Sequence, residues 1–94
     1  VGLASTHKNV LPVVVFPNPA QAGSPAYLHI DVTHNMPINI EVFDMQGRCL
    51  KQQFATLQGG LNELPLQVAS LAEGVYLIRI HNATVSQTIK LMVK

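Results

Sequence analysis

An all-β fold, an immunoglobulin-like antiparallel β-sandwich of about seven strands, follows from three features of the sequence. Short apolar stretches recur at intervals of about ten residues, separated by turn-forming residues. No window sustains the three-and-four apolar spacing of an amphipathic helix. A leucine, a glycine turn and a strand-opening tyrosine then follow one another at Leu71-Ala72-Glu73-Gly74-Val75-Tyr76. An eight-stranded jelly roll is the runner-up, and 94 residues are short for it.

Residues 1–11 are small, polar and aperiodic and read as a flexible linker, leaving 12–94 as the single domain. The first strand, Pro12 to Phe16, ends at Pro17-Asn18-Pro19. Proline cannot donate to a ladder, so this strand belongs at an edge. Asn18 is expected to bond its own backbone and sharpen the turn. A second strand at 26–32 places Leu28, Ile30 and Val32 on one face and Tyr27, His29 and Asp31 on the other. A third at 38–44 alternates Ile38, Ile40 and Val42 with Asn39, Glu41 and Phe43.

Asp44-Met45-Gln46-Gly47 reverses the chain, with Asp opening the turn and Gly supplying its left-handed residue. The fourth strand, 48–55, is expected to point Leu50 and Phe54 inward and Lys51 and Gln53 to solvent. Gly59-Gly60 marks the next reversal, and the fifth strand, 61–68, alternates Leu64, Leu66 and Val68. Pro65 within it implies an edge or a bulge. Gly74 and Tyr76 form a tyrosine corner, in which a buried ring sends its hydroxyl back to upstream backbone. The sixth strand runs on to Ile80 and Asn82-Ala83 turns the chain. The seventh, 85–93, sets Gln87, Ile89, Leu91 and Val93 against Ser86, Thr88, Lys90 and Met92.

Composition narrows the function. Hydrophobic residues make up 48% and charged residues 12%, which is far from a disordered chain and suits two buried sheet faces. Six Lys and Arg stand against five Asp and Glu, scattered singly, so nothing supplies a phosphate-neutralising stripe for nucleic acid. Anionic membrane surfaces are disfavoured for the same reason. Cys49 has no partner for an internal disulfide or a multi-cysteine zinc site, and reads as a buried, inert thiol rather than a nucleophile. No apolar run reaches the length of a membrane helix. The start has neither the basic beginning nor the apolar centre of a signal peptide, and no initiator Met. The chain is therefore expected to have been cut from a longer precursor.

Residues that could carry chemistry have plainer explanations. His29, Asp31 and His34 allow a metal site to be drawn, but their spacing matches no ligand pattern, and they and His7 and His81 read as solvent-facing. No serine sits in a nucleophile elbow, and no glycine-rich loop precedes a helix. Asp31, Glu41, Asp44, Glu63 and Glu73 are isolated, with Asp44 and Glu73 already in turns. The reading is a non-enzyme without metal or cofactor. A carbohydrate-binding module or an interdomain spacer stays open as the alternative. Against sugar binding, there is no Trp, and of the aromatic residues only Tyr27 and Phe43 fall on faces that could be outward. Asn82-Ala83-Thr84 fits a glycosylation sequon, but a hairpin turn explains it fully.

Four stretches, in order, carry a resemblance: Phe16-Pro17-Asn18-Pro19-Ala20 with Gly23 shortly after, Ile40 to Arg48, Leu71 to Ile80, and Lys90-Leu91-Met92-Val93-Lys94. Together they resemble the C-terminal sorting domain of proteins exported by the type IX secretion system of the Bacteroidetes, over about residues 13–94. Cys49, where an aliphatic residue is more usual, and Met92, in place of a β-branched one, depart from the pattern. The resemblance implies an immunoglobulin-like sandwich that accompanies a covalently linked N-terminal cargo through the periplasm. It implies recognition by the outer-membrane secretion machinery, removal by a sortase-like protease and a cell-surface or extracellular destination for the cargo. The domain is then the substrate of an enzyme, cleaved within 1–11. Recognition is expected at Lys90, Leu91, Met92, Val93 and Lys94, then at Pro17, Asn18, Pro19, Gly47 and Arg48. The last strand is expected at or near a sheet edge with unpaired backbone groups, open to strand addition by a receptor or strand exchange in a homodimer.

Overall fold

The computed structural model describes residues 12–94. Among these residues there are seven strands and no helix. They are β1 (Val13–Phe16), β2 (Ala26–Val32), β3 (Met36–Phe43), β4 (Cys49–Leu57), β5 (Gly60–Leu66), β6 (Gly74–His81) and β7 (Ser86–Val93). Two antiparallel sheets form, of order β1-β2-β5 and β4-β3-β6-β7. The chain makes β1 and β2 in one sheet, crosses for β3 and β4, returns for β5 and crosses again for β6 and β7. That is the connectivity of an immunoglobulin-like sandwich, as expected. Pro65 lies in the edge strand β5 and Pro12 and Pro17 flank the edge strand β1, where a missing donor costs no ladder bond, while Pro37 of β3 precedes the pairing with β6, which starts at Asn39.

Alternation builds the core. Leu28, Ile30 and Val32 of β2 face Ile38, Ile40 and Val42 of β3 and Ile78 and Ile80 of β6, all buried. Leu91 and Val93 complete the inner surface from β7. Each such side chain contributes about 1.5–3 kcal/mol of burial, the main stabilising term in a domain this small.

β4 departs from expectation. Phe54 is 74% exposed and Leu50 38% exposed, while the inward row is Lys51, Gln53, Ala55 and Leu57. Pairing fixes this. Opposed residues share a face, and Val42, Ile40, Ile38 and Met36 sit opposite Lys51, Gln53, Ala55 and Leu57. A register shift at Val42/Phe43 leaves Leu50 as the extra residue, because Phe43 pairs with Cys49. As an edge strand, β4 tolerates polar residues on its inner side. Gln53 Nε2 donates to the carbonyl of Pro65 at 3.2 Å and so links β4 to β5 of the other sheet. Cys49, expected to be buried, is exposed at the start of β4, its thiol 3.4 Å from the Lys51 carbonyl.

The tyrosine corner is present. Tyr76 is buried, and its hydroxyl donates to the carbonyl of Ala72 at 2.7 Å. Gly74, at φ +156, opens the strand beside the Tyr76 ring. In the β6–β7 turn, Asn82 Oδ1 accepts from the N–H groups of Thr84 and Val85, and Nδ2 donates to the Pro37 carbonyl. The amide of the sequon is thus spent inside the fold.

Replacing Tyr76 by Phe is expected to lower stability by about 1 kcal/mol in urea unfolding, through loss of the hydroxyl's bond. Ile40→Ala is expected to cost about 2–5 kcal/mol, and Phe54→Ser less than about 0.5 kcal/mol. Comparable losses for Ile40 and Phe54 would mean that the β4 register is wrong.

Candidate functional site at the end of the C-terminal strand

β7 has three surfaces. Its inner side chains, Leu91 and Val93, are buried. Lys90 and Met92 point outward from the four-stranded sheet, and Lys94 is exposed beyond them. The third surface is the backbone edge facing away from β6. Because β7 is the last strand of its sheet, an open edge is expected there.

Over Lys90–Lys94 it does not. Asn18 Nδ2 donates to the carbonyl of Lys90 at 2.9 Å, and Asn18 Oδ1 accepts the N–H of Met92 at 3.1 Å. A side-chain amide offers the same donor and acceptor as a peptide unit, so Asn18 stands in for one residue of a neighbouring strand. The backbone then takes over. Ala20 N–H donates to the Met92 carbonyl at 2.7 Å, Lys94 N–H donates to the Ala20 carbonyl at 2.8 Å, and Ala22 N–H donates to the Lys94 carbonyl at 2.7 Å. Ala20 and Val93 form a parallel bridge, with the Ala20 side chain fully buried. Pro17 and Pro19 bring no N–H that would need a partner. Two expectations are corrected here: Asn18 bonds a strand 72 residues away rather than its own turn, and the final residues do not present unpaired backbone.

The Asp44–Arg48 turn lies at the same end of the sheet. Asp44 Oδ1 accepts the N–H groups of Gln46 and Arg48 at 2.9 and 3.0 Å, and Oδ2 accepts Arg48 Nε–H at 2.8 Å. Gly47, at φ +87, occupies the left-handed position that favours glycine. The N–H of Arg48 holds the Asp44 carboxyl below its ordinary value. The Arg48 guanidinium and the Gln46 N–H add to this, and partial desolvation opposes it. The Arg48 side chain itself is 76% exposed.

Cross-strand register then aligns a surface. Phe43 pairs with Leu77 and Leu77 with Lys90, while Val75 pairs with Met92. An apolar strip of Phe43, Leu77, Val75 and Met92 therefore crosses the outer face, with the exposed Met45 and Leu50 at its far end. Phe43, Val75 and Leu77 were readable from alternation but carried no mark of function. Ala22 acts through its backbone, for which sequence offers no signal, while Ala20 adds a buried methyl group to its backbone bonds.

The fold thus gathers Lys90, Met92, Lys94, Pro17, Asn18, Pro19, Gly47 and Arg48 at one end, with the Gly74–Tyr76 corner beside them. Leu91 and Val93 are core residues with no reachable side chain. The histidines do not converge. His29 pairs with Glu63 at 3.0 Å and His81 with Glu41 at 2.9 Å, while His7 lies outside the described residues. Among the described residues no three potential metal ligands cluster. Phe16, not counted among the outward rings, packs at the outer face of β1 against Tyr27 and His29, with centroids 5.8 and 4.4 Å away. Phe54 is outward as well.

Asp44 makes the turn acid-sensitive. Its folded-state carboxyl titrates below the unfolded one, so its contribution is complete above an unfolded pKa of about 3.9 and fades as pH falls through the folded value. Urea midpoints of the native chain and of Asp44→Asn, compared from pH 7 to pH 2, are expected to converge at the acid end. Parallel curves would exclude an ionised Asp44 as the organiser of the turn.

No curated protein matches the chain. A family model described as "Secretion system C-terminal sorting domain" matches residues 14–94. With that match covering all seven strands but the first residue of β1, the chain belongs to the family of type IX secretion C-terminal sorting domains.

Proposed function

We propose that this domain carries an N-terminally attached cargo from the periplasm to the outer-membrane secretion machinery, is recognised at the end of β7, and is then cut away by a sortase-like protease within residues 1–11. The coarser part rests on the family, whose domains are type IX sorting signals rather than enzymes and imply export to the cell surface or beyond. The finer part rests on one observation. The end of the four-stranded sheet exposes Lys90, Met92, Lys94 and Arg48 around an apolar strip, on strands whose register the core holds rigid.

Such a surface suits a protein receptor. The apolar strip supplies area to bury, and the flanking cations supply orientation and encounter rate. Leu91 and Val93 contribute by holding the outward residues in place, so deleting the strand would destroy the core along with the surface.

Surface substitutions separate the two roles. The 94-residue chain, fused behind a periplasm-directed reporter in a host with this secretion system, is expected to bring the reporter to the cell surface. Lys90→Glu combined with Lys94→Glu is expected to lower surface reporter about tenfold, the equivalent of 1.4 kcal/mol of receptor binding, with unchanged unfolding of the purified domain. Undiminished export of the double variant would exclude this end of β7 as the recognition surface. Accumulation of the parent fusion in the periplasm would count against the address function itself.

A further inference from the structure

We propose that the Asn18–Ala22 segment is a displaceable internal strand covering part of β7, and that the stretch from Ser86 to the Lys90 N–H, unpaired among the described residues, is the foothold from which an extended segment of the export receptor replaces it. This rests on the receptor reading above and adds the mode of binding.

The backbone parity of β7 defines the foothold. Met92 and Lys94 turn their N–H and C=O groups away from β6, as their bonds to Asn18, Ala20 and Ala22 show. Counting back by two, Thr88 presents N–H and C=O on the same edge, and Lys90 presents its N–H beside the carbonyl that Asn18 occupies. Among the described residues nothing pairs with these Thr88 groups or with the Lys90 N–H. The edge is therefore divided into an open half and a covered half.

The cover is built to be exchanged. It makes five hydrogen bonds, two through the Asn18 side chain and three through the backbone of Ala20 and Ala22. Only Ala20 buries its side chain; Pro17, Asn18, Pro19, Gln21 and Ala22 are exposed. The apolar surface holding the cover down is thus little more than one methyl group. Prolines at 17 and 19 prevent it from continuing the ladder toward Thr88. An uninterrupted strand could reproduce the contacts to Lys90, Met92 and Lys94 and also satisfy Thr88 N–H, Thr88 C=O and Lys90 N–H. A partner strand that starts at the open half gains bonds before it removes any. Main-chain pairing of this kind supplies affinity, and Lys90 and Met92 beside it supply specificity.

Two measurements test the proposal. In native-state hydrogen exchange of the purified chain, the Thr88 and Lys90 amides are expected to exchange fast while those of Met92 and Lys94 are protected. Asn18→Ala is expected to release the Met92 amide at least tenfold while Leu91 and Val93, bonded to β6, stay protected. Protection of Thr88 and Lys90 equal to that of Leu91 would remove the foothold and overturn the idea.

The second measurement locks the cover. Ala20 and Val93 are Cα partners with inward side chains, so Ala20→Cys with Val93→Cys in a Cys49→Ser background places two thiols at disulfide reach. The oxidised fusion is expected to stay in the periplasm, with surface reporter reduced at least tenfold, and both single-cysteine variants are expected to export normally. Normal export of the cross-linked protein would refute displacement. If the Cys49→Ser parent is not exported, the sorting reading fails separately and the exchange pattern alone decides. The exchange pattern also decides if the cross-linked variant does not fold.

Discussion

Strict alternation, locked by the inner rows of two sheets, governs everything else in this domain. Ile40 lies opposite Ile80 in β3 and β6, and Leu28 and Ile30 press on that surface from the other sheet, so no strand can slip by one residue without exposing a buried row. The constraint reaches β7 through Tyr76–Leu91 and Ile78–Ile89 pairing. Leu91 and Val93 are pinned inward, and the parity of the strand then leaves Lys90, Met92 and Lys94 facing out. The surface available to a partner is thus a by-product of core packing, and the two cannot be altered independently within this strand.

Asn18 shows how a short polar segment can finish a sheet. An open edge strand invites unwanted pairing, and a common defence is to cover it. Here the segment that links β1 to β2 does so, tying the first described strand to the last. A side-chain amide serves where the flanking prolines could not supply a donor. The same arrangement joins the two sheets along one seam, while Gln53 and Pro65 join them along another.

Much of this was legible in the sequence because it depends on local pattern. The faces of β2, β3, β6 and β7 follow from period-two alternation of Leu, Ile and Val, and the tyrosine corner from a leucine, a glycine and a tyrosine within six residues. Local pattern misleads where a distant partner decides. In β4 the apolar Leu50 and Phe54 suggest one face. The strand runs on to Leu57, whose burial sets the opposite face, and a bulge absorbs Leu50. Cys49, next to that bulge, is exposed with it. The prolines beside Asn18 signal a local turn, whereas its partners lie in the last strand. Of the candidate site, the residues were legible. That they meet at one end, and that their backbone edge is half covered, depends on sheet order and register.

Charge at this end is too sparse to carry selectivity alone. Arg48 is partly neutralised by the Asp44 carboxylate, which leaves Lys90 and Lys94 without an acidic partner among the described residues. Two exposed ammonium groups steer a partner over roughly a Debye length, about 8–10 Å in physiological salt. Placement adds what the charges alone do not: the two flank Met92 on a strand whose register is fixed from within, next to an apolar strip running to Leu77 and Phe43. If this end is the recognition surface proposed above, discrimination comes from shape and backbone register, with charge setting the rate of encounter. This also accounts for a domain that devotes its hydrophobic residues to two well-packed faces and keeps few charges in reserve.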